Sequence, residues 1–192
     1  MSPTIERAAP NVEPESVPLP GHPGFSCSEL DGRLARQLIE RTLDSSDLRL
    51  REMTRDLARF SSQGQLTQWR PGRDLLCLTD DAGSLRGLIW IADKPLPERD
   101  DYFDLELMRR CNPRITVAIR TYGVVRGRGV LTKDFADFAR GTLLRKHPEP
   151  GPVWFETKAL NTAARALGKQ TEFVEVSGEA GGTVVGVRFR PG

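Results

Sequence analysis

Leu34, Leu38, Ile39 and Leu43 recur at helical spacing and predict a first helix between Asp31 and Asp44. Ser45-Ser46-Asp47 interrupts that pattern, and Leu48, Leu50, Met53, Leu57 and Phe60 mark the buried side of a second helix. Gln63 to Gly72 is polar and turn-rich. The spacing then changes: Asp74 to Thr79 and Leu85 to Ala92 are apolar runs around Asp80-Asp81-Ala82-Gly83, the signature of a β-hairpin. After a long excursion, Lys94 to Arg114, the β-branched run that starts at Ile115 predicts a strand leading straight into Arg126-Gly127-Arg128-Gly129. That turn opens a helix over Thr132 to Lys146, with Phe135, Phe138, Ala139, Thr142 and Leu143 on one face and Pro148, Pro150 and Pro152 forbidding its continuation. Val153 to Thr157 reads as a strand, Asn161 to Lys169 as a short helix, Phe173 to Ser177 as a strand, and Thr183 to Arg190 as a last strand. With Gly24 to Leu30 as a short opening strand, the order is mixed α/β (α+β): two helices, a hairpin, then strand, helix, strand, helix, strand, strand.

Composition narrows the function classes. The 192 residues fit one domain, and residues 1–23, with six of the fourteen prolines and little apolar material, are expected to form a flexible tail before a domain over 24–192. No run reaches the length of a membrane span and the start lacks the pattern of a signal peptide, so the expected location is the cytoplasm. Cys27, Cys77 and Cys111 are too far apart for a disulfide framework or a metal knuckle, and with His22 and His147 the only histidines no metal site or Ser-His-Asp triad is expected. A net charge of +2, without aromatics interleaved among the basic residues, argues against a nucleic-acid partner.

Two segments carry chemistry. A strand that ends in glycines and delivers the chain to a helix N-terminus leaves backbone N–H groups aimed at one point, a ready anion site, to which Arg126 and Arg128 can add charge-assisted contacts. The excursion holds Glu98, Asp100, Asp101, Asp104 and Glu106, which reads either as a solvated loop or as a negative lip that recruits a cationic amine.

The element order, with Arg-Gly-x-Gly at the fourth strand and Asn-x-x-Ala after the fifth, resembles the GNAT superfamily of acyl-CoA-dependent N-acyltransferases. The blocks Ile119 to Leu144 and Val153 to Phe173 carry the likeness. The resemblance implies a mostly antiparallel central sheet flanked by helices, and acetyl-CoA, or a longer acyl-CoA, as co-substrate. The pantetheine is then expected along the backbone of Ile119, Arg120 and Thr121. The pyrophosphate is expected at the N–H groups of Gly127, Arg128, Gly129, Val130, Leu131 and Thr132, with Arg126 matching the first residue of the family's phosphate signature. Leu131 stands where that signature has a small residue. Asn161 matches an asparagine that contacts the pantetheine arm, and Glu156 matches a glutamate that serves as general base in some members. Gly168 occupies the position of the tyrosine that protonates the departing thiolate; Tyr122, on the central strand, is the substitute acid.

The resulting expectation is an N-acetyltransferase acting on an amine acceptor, cationic on the strength of the acidic excursion, in a chain for which the resemblance also admits a homodimer. Gly168 and Leu131 keep open a second expectation, a non-catalytic acyl-CoA-binding or partner-binding module with the same fold.

Overall fold

The computed structural model describes residues 15–126, 128–147 and 151–189, with the side chain of Val124 excepted. Its sheet comprises β1 (Val17–Pro18), β2 (Phe25–Ser28), β3 (Arg73–Asp80), β4 (Leu85–Asp93), β5 (Ile115–Thr121), β6 (Val153–Lys158), β7 (Val174–Glu175) and β8 (Thr183–Arg188). Their spatial order is β1-β2-β3-β4-β5-β6-β8-β7, and every adjacent pair is antiparallel except β5 with β6. The mixed, mostly antiparallel sheet expected from the sequence is therefore present.

Both faces of the sheet are covered, which is why β3 and β4 read as continuous apolar runs. Leu76, Leu78, Ile89 and Ile91 face one layer, where α6 (Gly129–Leu144) contributes Leu131, Phe135, Ala139 and Leu143. Leu75, Cys77, Leu88 and Trp90 alternate to the other side, against α1 (Gly32–Leu43), α2 (Leu48–Met53), α3 (Leu57–Phe60) and α4 (Gln63–Trp69). A third cluster joins Trp154, Val185 and Val187 to Tyr102 and Met108, the latter from α5 (Leu105–Cys111) inside the excursion. The last helix, α7 (Thr162–Gln170), follows β6.

Several expectations are corrected. Within the supposed tail, Val17 and Pro18 pair with Cys27 and Ser26, and Leu19 is buried in the first core cluster; residues 1–14 lie outside the described residues. The second helix is broken, because Thr54 ends α2 in extended conformation and α3 starts anew after Asp56. Residues 63–69, read as turn, form α4, capped by the Ser62 side chain on the Gln65 N–H. β5 does not run into the glycines: a 3-10 turn at Gly123–Val125 intervenes, entered through Gly123 at φ 55°, a conformation that glycine adopts without strain. α6 accordingly starts three residues early, at Gly129 rather than Thr132.

Candidate functional site

The one parallel pair in the sheet comes apart. β5 and β6 are in register only at Ile115 with Val153 and Thr116 with Trp154, although β5 continues to Thr121 and β6 to Lys158. The Tyr122 N–H donates to the Arg86 carbonyl of β4, so by strand alternation Ile119 and Thr121 turn their backbone groups away from β4 and into the gap. Ile119 O accepts from Arg120 Nη1 at 2.8 Å, and Thr121 O from Arg126 at 3.3 and 3.4 Å. The Ile119 carbonyl keeps a second lone pair for an extended ligand, whereas the Thr121 carbonyl is already shared by two Arg126 nitrogens.

At the far end of β5 stands the N-terminus of α6. Its N-cap, Arg128, makes no side-chain capping bond, and its first turn contains no acidic residue. The first-turn N–H groups of this sixteen-residue helix thus keep their capacity for an anion. A Cβ built on Gly129 meets nothing within 4 Å, and Val130 is exposed, so the approach is open. Thr132 has its N–H on Arg128 O and its hydroxyl on Val125 O, which fixes the turn. Leu131 is buried in the core and crowds nothing at this end. Gly127 lies outside the described residues.

Arg126, expected on the phosphate, is engaged elsewhere. It forms a two-pronged pair with Asp47, at 2.8 and 2.5 Å, and Asp47 in turn caps α2 through the Leu50 N–H. Arg120 similarly holds Asp56, at 2.8 and 3.1 Å, with its guanidinium 5.0 Å from the Trp90 ring centroid. These two pairs tie the α2–α3 segment to β5 and to the turn that follows it, beside the gap. Lys158, at the end of β6, donates to the Glu52 carbonyl of α2, so the same segment also reaches the opposite strand.

Glu156 lies on β6 beyond the point of separation, with its side chain 38% exposed. Thr183 Oγ1 is 3.1 Å from its Oε1, and Arg99 Nη1 is 3.6 Å away. It lines an open recess of about 520 Å³ together with Pro97, Glu98, Arg99, Asp100, Asp101 and Ala180. The sequence reading passed over Arg99, which here binds both Asp101 oxygens at 2.7 and 2.8 Å and the carbonyls of Ala180 and Thr183 at 2.9 and 3.0 Å. The Arg99 hydrogen bonds hold the Asp101 carboxyl down at about 2, and Asp101 in return raises the Arg99 guanidinium. Asp104 caps α5 through the Leu107 N–H. Of the acidic excursion, Asp101 and Asp104 are therefore bound up internally, while Glu98 and Asp100 remain exposed at the recess. The signal that could have found Arg99 is its place as the one basic residue in the run Glu98 to Asp101.

Two further expected residues have local roles. Asn161 Oδ1 caps α7 on the Ala164 N–H at 3.2 Å, while its Nδ2 donates to Thr157 Oγ1. Tyr122 does not reach the gap: its side chain is packed in the second core cluster, its hydroxyl is buried without a partner, and burial pushes the phenol far above its ordinary range. That placement does not suit an acid for a departing thiolate. At Gly168 a Cβ would lie 2.8 Å from Cε1 and Cζ of Phe155, so glycine here makes room for that ring. Among the described residues, no group of three or more His, Cys, Asp and Glu side chains could hold a metal ion, and no helix is long and apolar enough to cross a membrane.

No protein-family model matches the chain, and no curated protein does. Solved structures do. A GNAT-family acetyltransferase from Listeria monocytogenes superposes with a TM-score of 0.60 at 15% identity, over 92% of this chain and 100% of that one. The GNAT domain of PAT from S. lividans gives 0.61 at 13% identity, over 86% and 90%. Spermidine N-acetyltransferase from Vibrio cholerae, in complex with CoA and spermine, gives 0.54 at 12% identity, over 86% and 94%. A mixed sheet whose single parallel pair parts beside an uncapped helix N-terminus, superposing over most of each of these chains, has the fold of the GNAT acetyltransferases.

Proposed function

We propose that this protein transfers an acyl group, in the simplest case acetyl, from an acyl-CoA to a cationic amine. The observation that carries the proposal is the parting of β5 from β6 next to the uncapped start of α6, with Glu156 on the far strand. The gap suits an extended amide-bearing arm, which can pair with the backbone of Ile119 and Thr121. At the α6 N-terminus the N–H groups of Gly129, Val130 and Leu131 suit the pyrophosphate, whereas those of Arg128 and Thr132 are already given to the carbonyls of Val125 and Arg128.

Amines titrate at about 10, so the acceptor must lose a proton before attack. Glu156 is exposed enough to take that proton directly or through water and is the catalytic base of the proposal. Backbone N–H groups turned into the gap can polarise the thioester carbonyl, and alignment of two bound substrates supplies much of the remaining rate. With Tyr122 buried and Gly168 packed under Phe155, the thiolate takes its proton from solvent.

A cationic acceptor is supported by the recess beside Glu156, where Glu98 and Asp100 add charge that Arg99 does not neutralise. The Vibrio cholerae neighbour, which holds CoA and spermine, is consistent with this class of acceptor. The test is calorimetric titration with acetyl-CoA and CoA, followed by thiol release over polyamines, aminoglycosides and peptides with free N-termini. Binding with turnover on a cationic amine supports the proposal; turnover confined to neutral or anionic amines overturns the acceptor class. Tight binding with no turnover on any amine favours the second reading, a non-catalytic acyl-CoA-binding module, which Gly168 and the burial of Tyr122 motivate.

A further inference from the structure

Thr183 opens β8 opposite Lys158, one diagonal position from Glu156 on the same face of the β6–β8 ladder. Its hydroxyl stands between two charged groups. Arg99 Nη1 donates to Thr183 Oγ1 at 2.8 Å, and Thr183 Oγ1 lies 3.1 Å from Glu156 Oε1. A guanidinium has no acceptor and a threonine hydroxyl has one proton, so the direction of the chain is forced: Arg99 donates to Thr183, and Thr183 donates to Glu156.

Arg99 is itself fixed by the Asp101 carboxylate and the Ala180 and Thr183 carbonyls, and its side chain is 11% exposed. The anchor for the hydroxyl is thus rigid. Both contacts to the glutamate, from Thr183 and from the more distant Arg99 at 3.6 Å, fall on Oε1. Oε2 makes no hydrogen bond with the described residues, and Glu156 lines the open recess.

We propose that Thr183 is a positioning residue, which with Arg99 anchors one oxygen of Glu156 and leaves the other to take the proton of the acceptor amine. The proposal rests on Glu156 as the base. The proton leaves the ammonium nitrogen for Oε2 and the nitrogen lone pair forms the new N–C bond; the nitrogen then gives up its second proton to solvent as the C–S bond breaks with its electrons on the CoA sulfur, which is protonated from solvent. Thr183 keeps its proton throughout.

Thr183→Val removes the hydroxyl while keeping a β-branched side chain suited to a strand, and Thr183→Ser restores the hydroxyl. With acetyl-CoA and the acceptor found by the screen, Thr183→Val should lower kcat about tenfold, a part of the roughly 10²–10⁴-fold that acid–base assistance supplies, with the KM for acetyl-CoA unchanged. Thr183→Ser should recover most of the loss. Glu156→Gln should lose more, and Thr183→Val should cost nothing further in that background, because the two groups act as one unit. A crystal structure of Thr183→Val should show the Glu156 carboxylate displaced or in more than one rotamer. Wild-type kcat and an unmoved Glu156 in Thr183→Val, alongside a loss in Glu156→Gln, would overturn the role of Thr183 and leave the base in place. Wild-type kcat in Glu156→Gln would instead overturn the base, and with it the catalytic purpose assigned to the anchor.

Discussion

Arg126 and Asp47 form a two-pronged ion pair across 79 residues of sequence, and the same Asp47 caps the helix that stands over the β5–β6 gap. An arginine that the phosphate signature would assign to the ligand is used here as a strut between the start of α2 and the turn before α6. Both partners are mostly buried, so the pair is worth more than an ordinary surface contact. Asp47→Ala removes the pair and the cap together and should cost about 1–2 kcal/mol of stability, read by chemical denaturation. Arg126→Ala should likewise lower stability while changing CoA affinity less than twofold; a tenfold loss of affinity with stability intact would make Arg126 a phosphate ligand after all.

Gly129→Asp separates helix stability from ligand binding. A Cβ at this position meets nothing within 4 Å, and an aspartate in the first turn complements the helix dipole. The folded protein should therefore be as stable as wild type or more so. The same charge at the proposed pyrophosphate site should weaken CoA binding by about 10- to 100-fold, equivalent to losing about 1.4–2.8 kcal/mol. Unchanged calorimetric affinity would place the ligand elsewhere.

The glycine at 168 is a packing requirement imposed by Phe155, whose ring also stacks edge-on against Phe173 with centroids 5.1 Å apart. Gly168→Ala should destabilise by about 1–3 kcal/mol through overpacking. Combining it with Phe155→Leu should recover part of that loss, since the two side chains compete for one space. Additive losses in denaturation would show that they do not interact.

Glu98 and Asp100, rather than Asp101, carry the free charge of the excursion at the recess. Glu98→Gln with Asp100→Asn should raise the KM for a cationic acceptor about 3- to 10-fold at low salt, with a smaller effect at high salt. Asp104→Asn keeps an N-cap side chain and should leave that KM unchanged. An equal rise in both variants would mean that charge over the whole excursion, and not the recess, attracts the acceptor.

Asp101 provides a pH dependence with a definite sign. Arg99 holds its carboxyl at about 2, below the ordinary aspartate value of about 3.9. The carboxylate therefore stabilises the fold above the ordinary value, and that contribution is lost as pH falls through the interval towards 2. Hydrogen-exchange protection at residues 98–101 and 178–183, taken relative to the intrinsic rate at each pH, should fall over that interval. Asp101→Asn should show lower protection in this segment already at neutral pH and little further change with acid.

The secondary elements with strong periodicity follow from residue order alone. Leucine spacing from Leu34 to Leu43 and the apolar runs around Asp80 to Gly83 emerge as α1 and the β3–β4 hairpin, within a residue or two of the expected bounds. These patterns are local because burial on one stripe or on alternate positions is written directly into residue spacing. Where the pattern was weak, at Gln63 to Trp69 or Val17 to Leu19, a side-chain cap and pairing with β2 decided the outcome, and neither is visible as hydrophobic periodicity. Two backbone parts of the candidate site were legible, the strand at Ile115 and a helix after the glycines, expected from Thr132 and found from Gly129, because glycine placement and helix polarity are properties of short segments. Which charges remain free is settled by packing in three dimensions. Arg126 finds Asp47, Arg120 finds Asp56, Arg99 gathers Asp101 and Thr183 beside Glu156, and Tyr122 turns into the core. Such partners lie up to 84 residues apart, and electrostatic pairing depends on distance in space, which residue spacing alone does not encode.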